Sequence, residues 1–177
     1  MRSLKLLSFL IFGFYLSNHA QAQLQTVPYV ELSKYAGTWY QIAHKPLIFE
    51  GKCVCSRQIL SPLEDGRVGV YNTCTEPVTR ELRSISGVAT NNDPRTNAQF
   101  TVDFGLPRTG QYWIIGLGEN YEYAVVSDPS LISLYILSKT PELSAELYEE
   151  AIEKADRQVD LSKLELTVQK DCEYPAN

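Results

Sequence analysis

The sequence predicts an all-β domain, an eight-stranded antiparallel up-and-down β-barrel with one C-terminal α-helix packed on its outside. Three observations carry that prediction. Short apolar or alternating runs recur at intervals of about ten residues between Tyr35 and Ser138, separated by turn residues. The first run opens on Gly37-Thr38-Trp39-Tyr40, where a Gly two residues before a Trp suits an indole set into the closed end of a barrel. A single stretch of helical spacing then follows the last run.

The strands are expected at 36–45, 52–61, 66–74, 80–90, 97–104, 110–117, 121–128 and 132–138. Glu64-Asp65-Gly66 and Asn91-Asn92-Asp93-Pro94 supply residues that tolerate tight or left-handed backbone at the breaks. Strands in this number can close on themselves and lose their exposed edges. In the fifth run Phe100, Val102 and Phe104 alternate with Thr101 and Asp103, so one face is apolar and the other wet. The last three runs, Tyr112 to Ile115, Tyr123 to Val126 and Leu131 to Leu137, are apolar on both faces and need an outer cover. Ser144 to Asp156 supplies it. Leu147, Tyr148, Ala151, Ile152 and Ala155 form one stripe, with acids early and Lys154 and Arg157 late, as the helix dipole favours. A short ninth run, Lys163 to Gln169, leads to Cys172.

Residues 1–22 read as a secretory signal peptide: Arg2 and Lys5, an apolar block from Leu6 to Leu16, then Ala20-Gln21-Ala22. The block is too short to span a bilayer as a mature helix. Cleavage after Ala22 leaves a single domain, 23–177, and the absence of a Cys at that boundary argues against a lipid anchor. The expected location is therefore secreted or periplasmic. Loss of Arg2 and Lys5 from a segment without acids takes the formal charge from −5 to −7, which disfavours nucleic acid as a partner. Cys53, Cys55, Cys74 and Cys172 all fall in the exported part, where an oxidising compartment favours two disulfides in any of three pairings.

With Gly37-x-Trp39 at the first strand, Tyr121-x-x-Ala124-Val125-Val126 late in the sheet and Ile136-Leu137-Ser138-Lys139-Thr140-Pro141 before the helix, the chain resembles the lipocalin family. The resemblance spans essentially the whole mature domain and is nearest to the bacterial and apolipoprotein D-like branches. The four-cysteine set is also similar to that of plant chloroplastic lipocalins. Two positions depart from the family pattern. Lys139 stands where Arg is usual over the motif Trp, and its compact ammonium stacks less well on an indole. Gly118-Glu119-Asn120 replaces the usual Thr-Asp-Tyr, so the family's receptor contacts at that loop do not carry over.

The resemblance implies a container for a small hydrophobic ligand, a fatty acid, lysophospholipid or related lipid, carried or scavenged by a monomer, with lipid exchange at membranes and no membrane anchor. It places Tyr112, Ile114, Val125 and Tyr135 on facing inner walls and Val70 opposite, joining the Phe100, Val102 and Phe104 face. Gly37, Trp39 and Lys139 form the barrel base. An acyl chain burying about twelve methylenes at ~0.8 kcal/mol each would gain on the order of 10 kcal/mol, offset by several kcal/mol of association cost. The resemblance also ties Cys172 to Cys53, which leaves Cys55 with Cys74. A two-residue turn at Asp65-Gly66 sets Cys55 opposite Glu76, so that second bridge needs a bulge or a longer turn.

Signals of catalysis and of bound cofactors or metals are sparse. The mature chain keeps one histidine, His44, and with it the Cys53-x-Cys55 pair cannot assemble a persuasive zinc site apart from the disulfides. No nucleophile elbow, His-Glu-x-x-His or phosphate loop occurs. Gly116 to Tyr121 begins like a dinucleotide fingerprint but lacks the third Gly and the helix. Glu149-Glu150 belong to a solvated helix face. The reading is a binding protein with no catalytic residues, cofactor or metal. The alternatives are a lipocalin-fold enzyme acting on a lipid or isoprenoid, which needs acids aimed inward although Asp103 points out by parity, and a secreted interaction protein using the loops Pro46 to Glu50 and Pro107 to Gly110.

Overall fold

A computed structural model of the chain describes residues 24–47 and 52–175. The expected signal peptide, 1–22, lies outside the described residues, as does most of the loop from Pro46 to Glu50. The strands are β1 (Gly37–His44), β2 (Val54–Pro62), β3 (Val68–Thr75), β4 (Leu82–Asn91), β5 (Gln99–Asp103), β6 (Gly110–Leu117), β7 (Tyr123–Ser127) and β8 (Leu134–Ser138). They pair in sequence order, all antiparallel. β1 closes the barrel against β8 on one side and β2 on the other, with Gly37 opposite Leu60 and Tyr40 opposite Arg57. The expected barrel is the observed one.

Antiparallel closure fixes which connections share an end. The β2–β3, β4–β5 and β6–β7 turns gather where β1 begins, together with a one-turn helix α1 (Leu32–Tyr35) that the sequence reading leaves as coil. The other four connections gather at the far end. α1 is too short to show a period, and it is held by what it packs on: Tyr35 is buried in the barrel's inner cluster beside Trp39.

Two apolar layers result. The inner cluster fills the barrel with Trp39, Leu60, Val70, Phe100, Ile114 and Val126 among others. The outer cluster joins Ala43, Ile115, Tyr123, Leu134 and Ile136 to Ala151 and Ala155 of helix α2 (Ala145–Asp156). α2 is thus the predicted cover for strands that are apolar on both faces. Ser144 caps it, its Oγ accepting from the Leu147 N–H at 3.3 Å, a contact worth about 1 kcal/mol. Close approach of α2 to β6 requires Gly116, where a Cβ would come within 2.9 Å of Lys154 Cβ.

After α2 the chain returns along the barrel as β9 (Glu165–Leu166), paired with the upper half of β1. Here β1 and β2 diverge and the tail fills the gap. The Thr167 N–H donates to Ile42 O at 2.9 Å, and the Cys55 N–H donates to Val168 O at 2.8 Å. The Gln169 side-chain amide reaches Gln41 O at 2.8 Å and Ser56 O at 2.7 Å. Tyr174 then packs edge-on to Tyr40, with ring centroids 5.0 Å apart, and lies under the Arg57 guanidinium.

The expected disulfide pairing is corrected. Cys53 bonds Cys74 and Cys55 bonds Cys172, with Cα separations of 5.7 and 5.5 Å, in place of Cys53–Cys172 and Cys55–Cys74. The cause is a bulge. β2 and β3 pair Val54 with Thr75 but Arg57 with Thr73, so Cys55 and Ser56 together face Cys74. Cys55 sits at φ +55°, which turns it from β3 towards the tail, while Cys53 is left diagonal to Cys74. The β2–β3 connection is also longer than the two-residue turn expected: the Leu63 N–H donates to Arg67 O at 2.9 Å, which leaves Glu64, Asp65 and Gly66 at the tip.

Candidate functional site

The barrel base is built from three residues that the sequence singles out. Trp39 is fully buried, and its Nε1–H donates to Tyr35 O at 2.7 Å. The Lys139 ammonium stands 4.2 Å from the Trp39 ring centroid and donates to Ala36 O at 2.7 Å and Tyr35 O at 3.2 Å. Burial lowers the Lys139 pKa, so the ammonium depends on those carbonyls and the indole face for stabilisation. Gly37, at φ +97°, provides the left-handed turn from α1 into β1, and its vacant Cβ position lies 3.9 Å from Lys139 Nζ. Tyr121, from the divergent β6–β7 turn, accepts the Glu31 N–H at its hydroxyl at 2.8 Å and so anchors the start of α1.

Above the base, one polar bridge crosses the lumen. The Tyr35 and Tyr112 hydroxyls lie 2.7 Å apart, and Gln58 Nε2 donates to Tyr112 Oη at 2.7 Å. Burial pushes the Tyr112 phenol up to about 12 and the Tyr35 phenol well above its ordinary value, so both are neutral donors at physiological pH. The Tyr112 hydroxyl is thus engaged by protein on two sides.

Beside this bridge lies an apolar cavity of about 170 Å³. Its walls are Leu60, Val70, Ala89, Phe100, Val102 and Tyr112. Four of these, Val70, Phe100, Val102 and Tyr112, stand among the eight that the sequence places on the inner wall. Ile114 is fully buried in the same inner cluster without lining the cavity, and Phe104 and Tyr135 are packed partly buried against that cluster. The Phe104 ring occupies the space next to Gly87, where a Cβ would meet it at 2.6 Å.

Val125 is a correction. β6 and β7 pair Ile114 with Val126, and paired residues point to the same face, so Val126 is inside and Val125 turns outward into the cluster under α2. The bulge at Ile115 then sets Gly116 opposite Val125 on that outer face. Asp103 is exposed, as parity predicts, and its Oδ1 accepts the Gly105 N–H at 2.8 Å. His44 contacts Thr167, its Nδ1 3.3 Å from the hydroxyl.

Sequence reasoning misses one part of the cavity, the part nearest α1. Leu32 and Ala36 form one side of its rim, and Pro62, Leu63, Gly66 and Arg67 of the β2–β3 hairpin form the other. The available signal is the Pro62-Leu63 apolar pair running into a turn, a weak one, since turns often carry an isolated apolar residue. Among the described residues no group of three His, Cys, Asp or Glu side chains could hold a metal, and no helix is long and apolar enough to cross a membrane.

Comparison with known proteins agrees with this architecture. The family profile described as a lipocalin-like domain matches residues 30–169. Temperature-induced lipocalin-1 of Arabidopsis thaliana is 32% identical over 165 residues, covering 88% of each chain. The outer membrane lipoprotein Blc of Escherichia coli is 33% identical over 134 residues, covering 75% of this chain and 76% of its own. Among solved structures, the tryptamine complex of the amine binding protein of Rhodnius prolixus superposes with a TM-score of 0.64 at 18% identity, over 87% of this chain and 90% of that one. The last likeness bears on the fold alone.

Proposed function

Because the chain belongs to the lipocalin family, which binds small hydrophobic ligands, we propose that it is an exported carrier or scavenger of a single-chain lipid held inside the barrel. The observation that supports this reading best is the apolar cavity walled by Leu60, Val70, Phe100 and Val102. Buried apolar space of this kind loses dispersion contacts until a guest fills it. Two disulfides favour an oxidising compartment, in keeping with export through the 1–22 segment.

The cavity's size sets the affinity. Apolar cavities of roughly 150 Å³ hold a benzene-sized guest, so about 170 Å³ accommodates a short run of methylenes and not twelve. About six methylenes at ~0.8 kcal/mol each gain on the order of 5 kcal/mol. The rest of a longer chain would lie at the mouth, partly covered, and a Kd on the order of micromolar follows once association costs are set against both parts.

Native mass spectrometry of the protein purified from its own source tests the reading. A co-purifying lipid, removed by organic extraction and restored by adding a fatty acid or lysophospholipid, is the expected result. A protein that is recovered empty and takes up neither class of lipid would overturn it.

A further inference from the structure

β1 to β4 form a wall almost without charge. In a chain of which 21% of the residues are Asp, Glu, Lys or Arg, these four strands hold two, Arg57 and Arg83. Neither is presented on the outer surface. Arg57 is 6% exposed, stacked on the Tyr174 ring, and Arg83 pairs with Cys74 on the inward parity shared by Gly87 and Val70. Trp39 and Gln58 pair inside the barrel, so the next register row, Thr38, Ile59, Tyr71 and Ser86, faces out. Ser84 and Val88 flank that row on the same face.

The tail widens the wall. Where it fills the β1–β2 gap, Leu166 is 71% exposed and Val168 55%, and Leu166 points outward because it pairs with Ala43 of the outer cluster. Tyr40, Tyr71 and Tyr174 add three half-buried phenols. Interface cores are depleted in Lys, Glu and Asp and enriched in Tyr, and this wall has that composition.

α2 carries the contrast. Half-way round the barrel, against β6 and β7, it bears Glu146, Glu149, Glu150, Glu153 and Asp156 with Lys154 as its only cation. The chain has a formal charge of −5, so a copy brought against α2 sets acid against acid. A two-fold contact through the β1–β4 wall sets uncharged surface on uncharged surface and holds the two acidic helices at opposite ends of the pair. Closure of the barrel leaves no free strand edge among β1 to β8, so the contact is one of side chains. Four strands by about seven residues, five strands where the tail enters, make roughly 450–550 Å² in plan at ~4.8 Å between strands and ~3.3 Å per residue. A standard interface takes about 800 Å² from each partner, so this contact is small and reversible.

We infer that two copies of this chain associate back to back through the outer wall of β1 to β4 and the tail, with Tyr71, Ser86 and Val168 inside the contact and a Kd on the order of 100 µM. The association does not depend on what the barrel holds.

Sedimentation equilibrium of the mature protein, from about 5 µM to about 1 mM, tests this. A monomer–dimer equilibrium is expected, strengthened at least twofold when NaCl is raised from about 20 to about 500 mM, because salt screens the repulsion between like-charged copies. Ser86→Asp and Val168→Asp, both at exposed positions, should each weaken it at least tenfold at an unchanged urea midpoint. Val78→Asp, in the β3–β4 loop at the far end, should change it less than twofold. Amide shifts of residues 59, 71, 84–88 and 166–168 should move with protein concentration. A protein that stays monomeric at about 1 mM in both salts would overturn the inference. So would a dimer weakened by Val78→Asp and indifferent to the other two substitutions, or one that loosens as salt rises.

Discussion

Lys139 caps Trp39: its ammonium lies 4.2 Å from the indole centroid while donating to the carbonyls of Tyr35 and Ala36. One side chain at the end of β8 thereby ties together the plug, the last turn of α1 and the start of β1. A guanidinium would cover more of the indole face, but the compact ammonium reaches two carbonyls that converge on a point.

Removing this cation should loosen the base. Lys139→Met keeps the aliphatic stem and loses the cation–π contact and both charge-assisted hydrogen bonds, a cost of about 1–3 kcal/mol. Lys139→Arg should stay within about 1 kcal/mol of wild type, since a guanidinium retains the stacking and one carbonyl contact. Urea denaturation midpoints at constant m-value measure both. An unchanged midpoint for Lys139→Met would show that the contact contributes nothing.

The tyrosine bridge makes stability fall in alkali. Tyr112 and Tyr35 have folded pKa values raised by burial, that of Tyr112 to about 12, above the ordinary phenol value of about 10. The folded state therefore holds protons that the unfolded chain releases first, so this contribution is fully present below pH ~10 and is lost as pH rises towards the folded values. For Tyr112 the loss is on the order of 2–3 kcal/mol once pH passes ~12. Phenolate absorbance should show a late-titrating class that shrinks by one phenol in Tyr112→Phe, and that variant should lose about 1–2 kcal/mol at neutral pH from its two severed hydrogen bonds.

The disulfides should differ in weight. Cys55–Cys172 spans 117 residues and Cys53–Cys74 spans 21, which by the chain-entropy estimate gives about 5 and about 3 kcal/mol. The Cys55→Ser/Cys172→Ser protein should therefore unfold at lower denaturant than Cys53→Ser/Cys74→Ser. It should also release the tail that fills the β1–β2 gap, exposing the Cys55 and Thr167 amides to hydrogen exchange. Non-reducing peptide maps should link residue 53 to residue 74.

Where the sequence carries a strong local period, it leads to the right structure. Phe100-Val102-Phe104 points into the barrel because strict alternation leaves no other arrangement, and Ser144 marks the start of α2 because its hydroxyl caps it. The misreadings share one cause, an extra residue in a strand. The bulge at Ile115 and the pairing of Ile114 with Val126 send Val125 outward, and the bulge at Cys55 exchanges the disulfide partners. The Cys55 bulge has no glycine or proline to announce it, and Gly116 beside the Ile115 bulge is equally required by the close approach of α2. The rim of the cavity was illegible for a different reason: it joins a one-turn helix to a hairpin tip, two short pieces that only closure of the barrel brings together.

The central claim is that the apolar cavity is the ligand site, and filling it tests this most directly. Val70→Phe places a ring in the space shared by Leu60, Phe100 and Val102. Titration of cis-parinaric acid should give one site of micromolar Kd in the wild type and at least tenfold weaker binding in Val70→Phe, with an unfolding midpoint no lower than wild type. Equal affinity in a folded Val70→Phe protein would contradict the account.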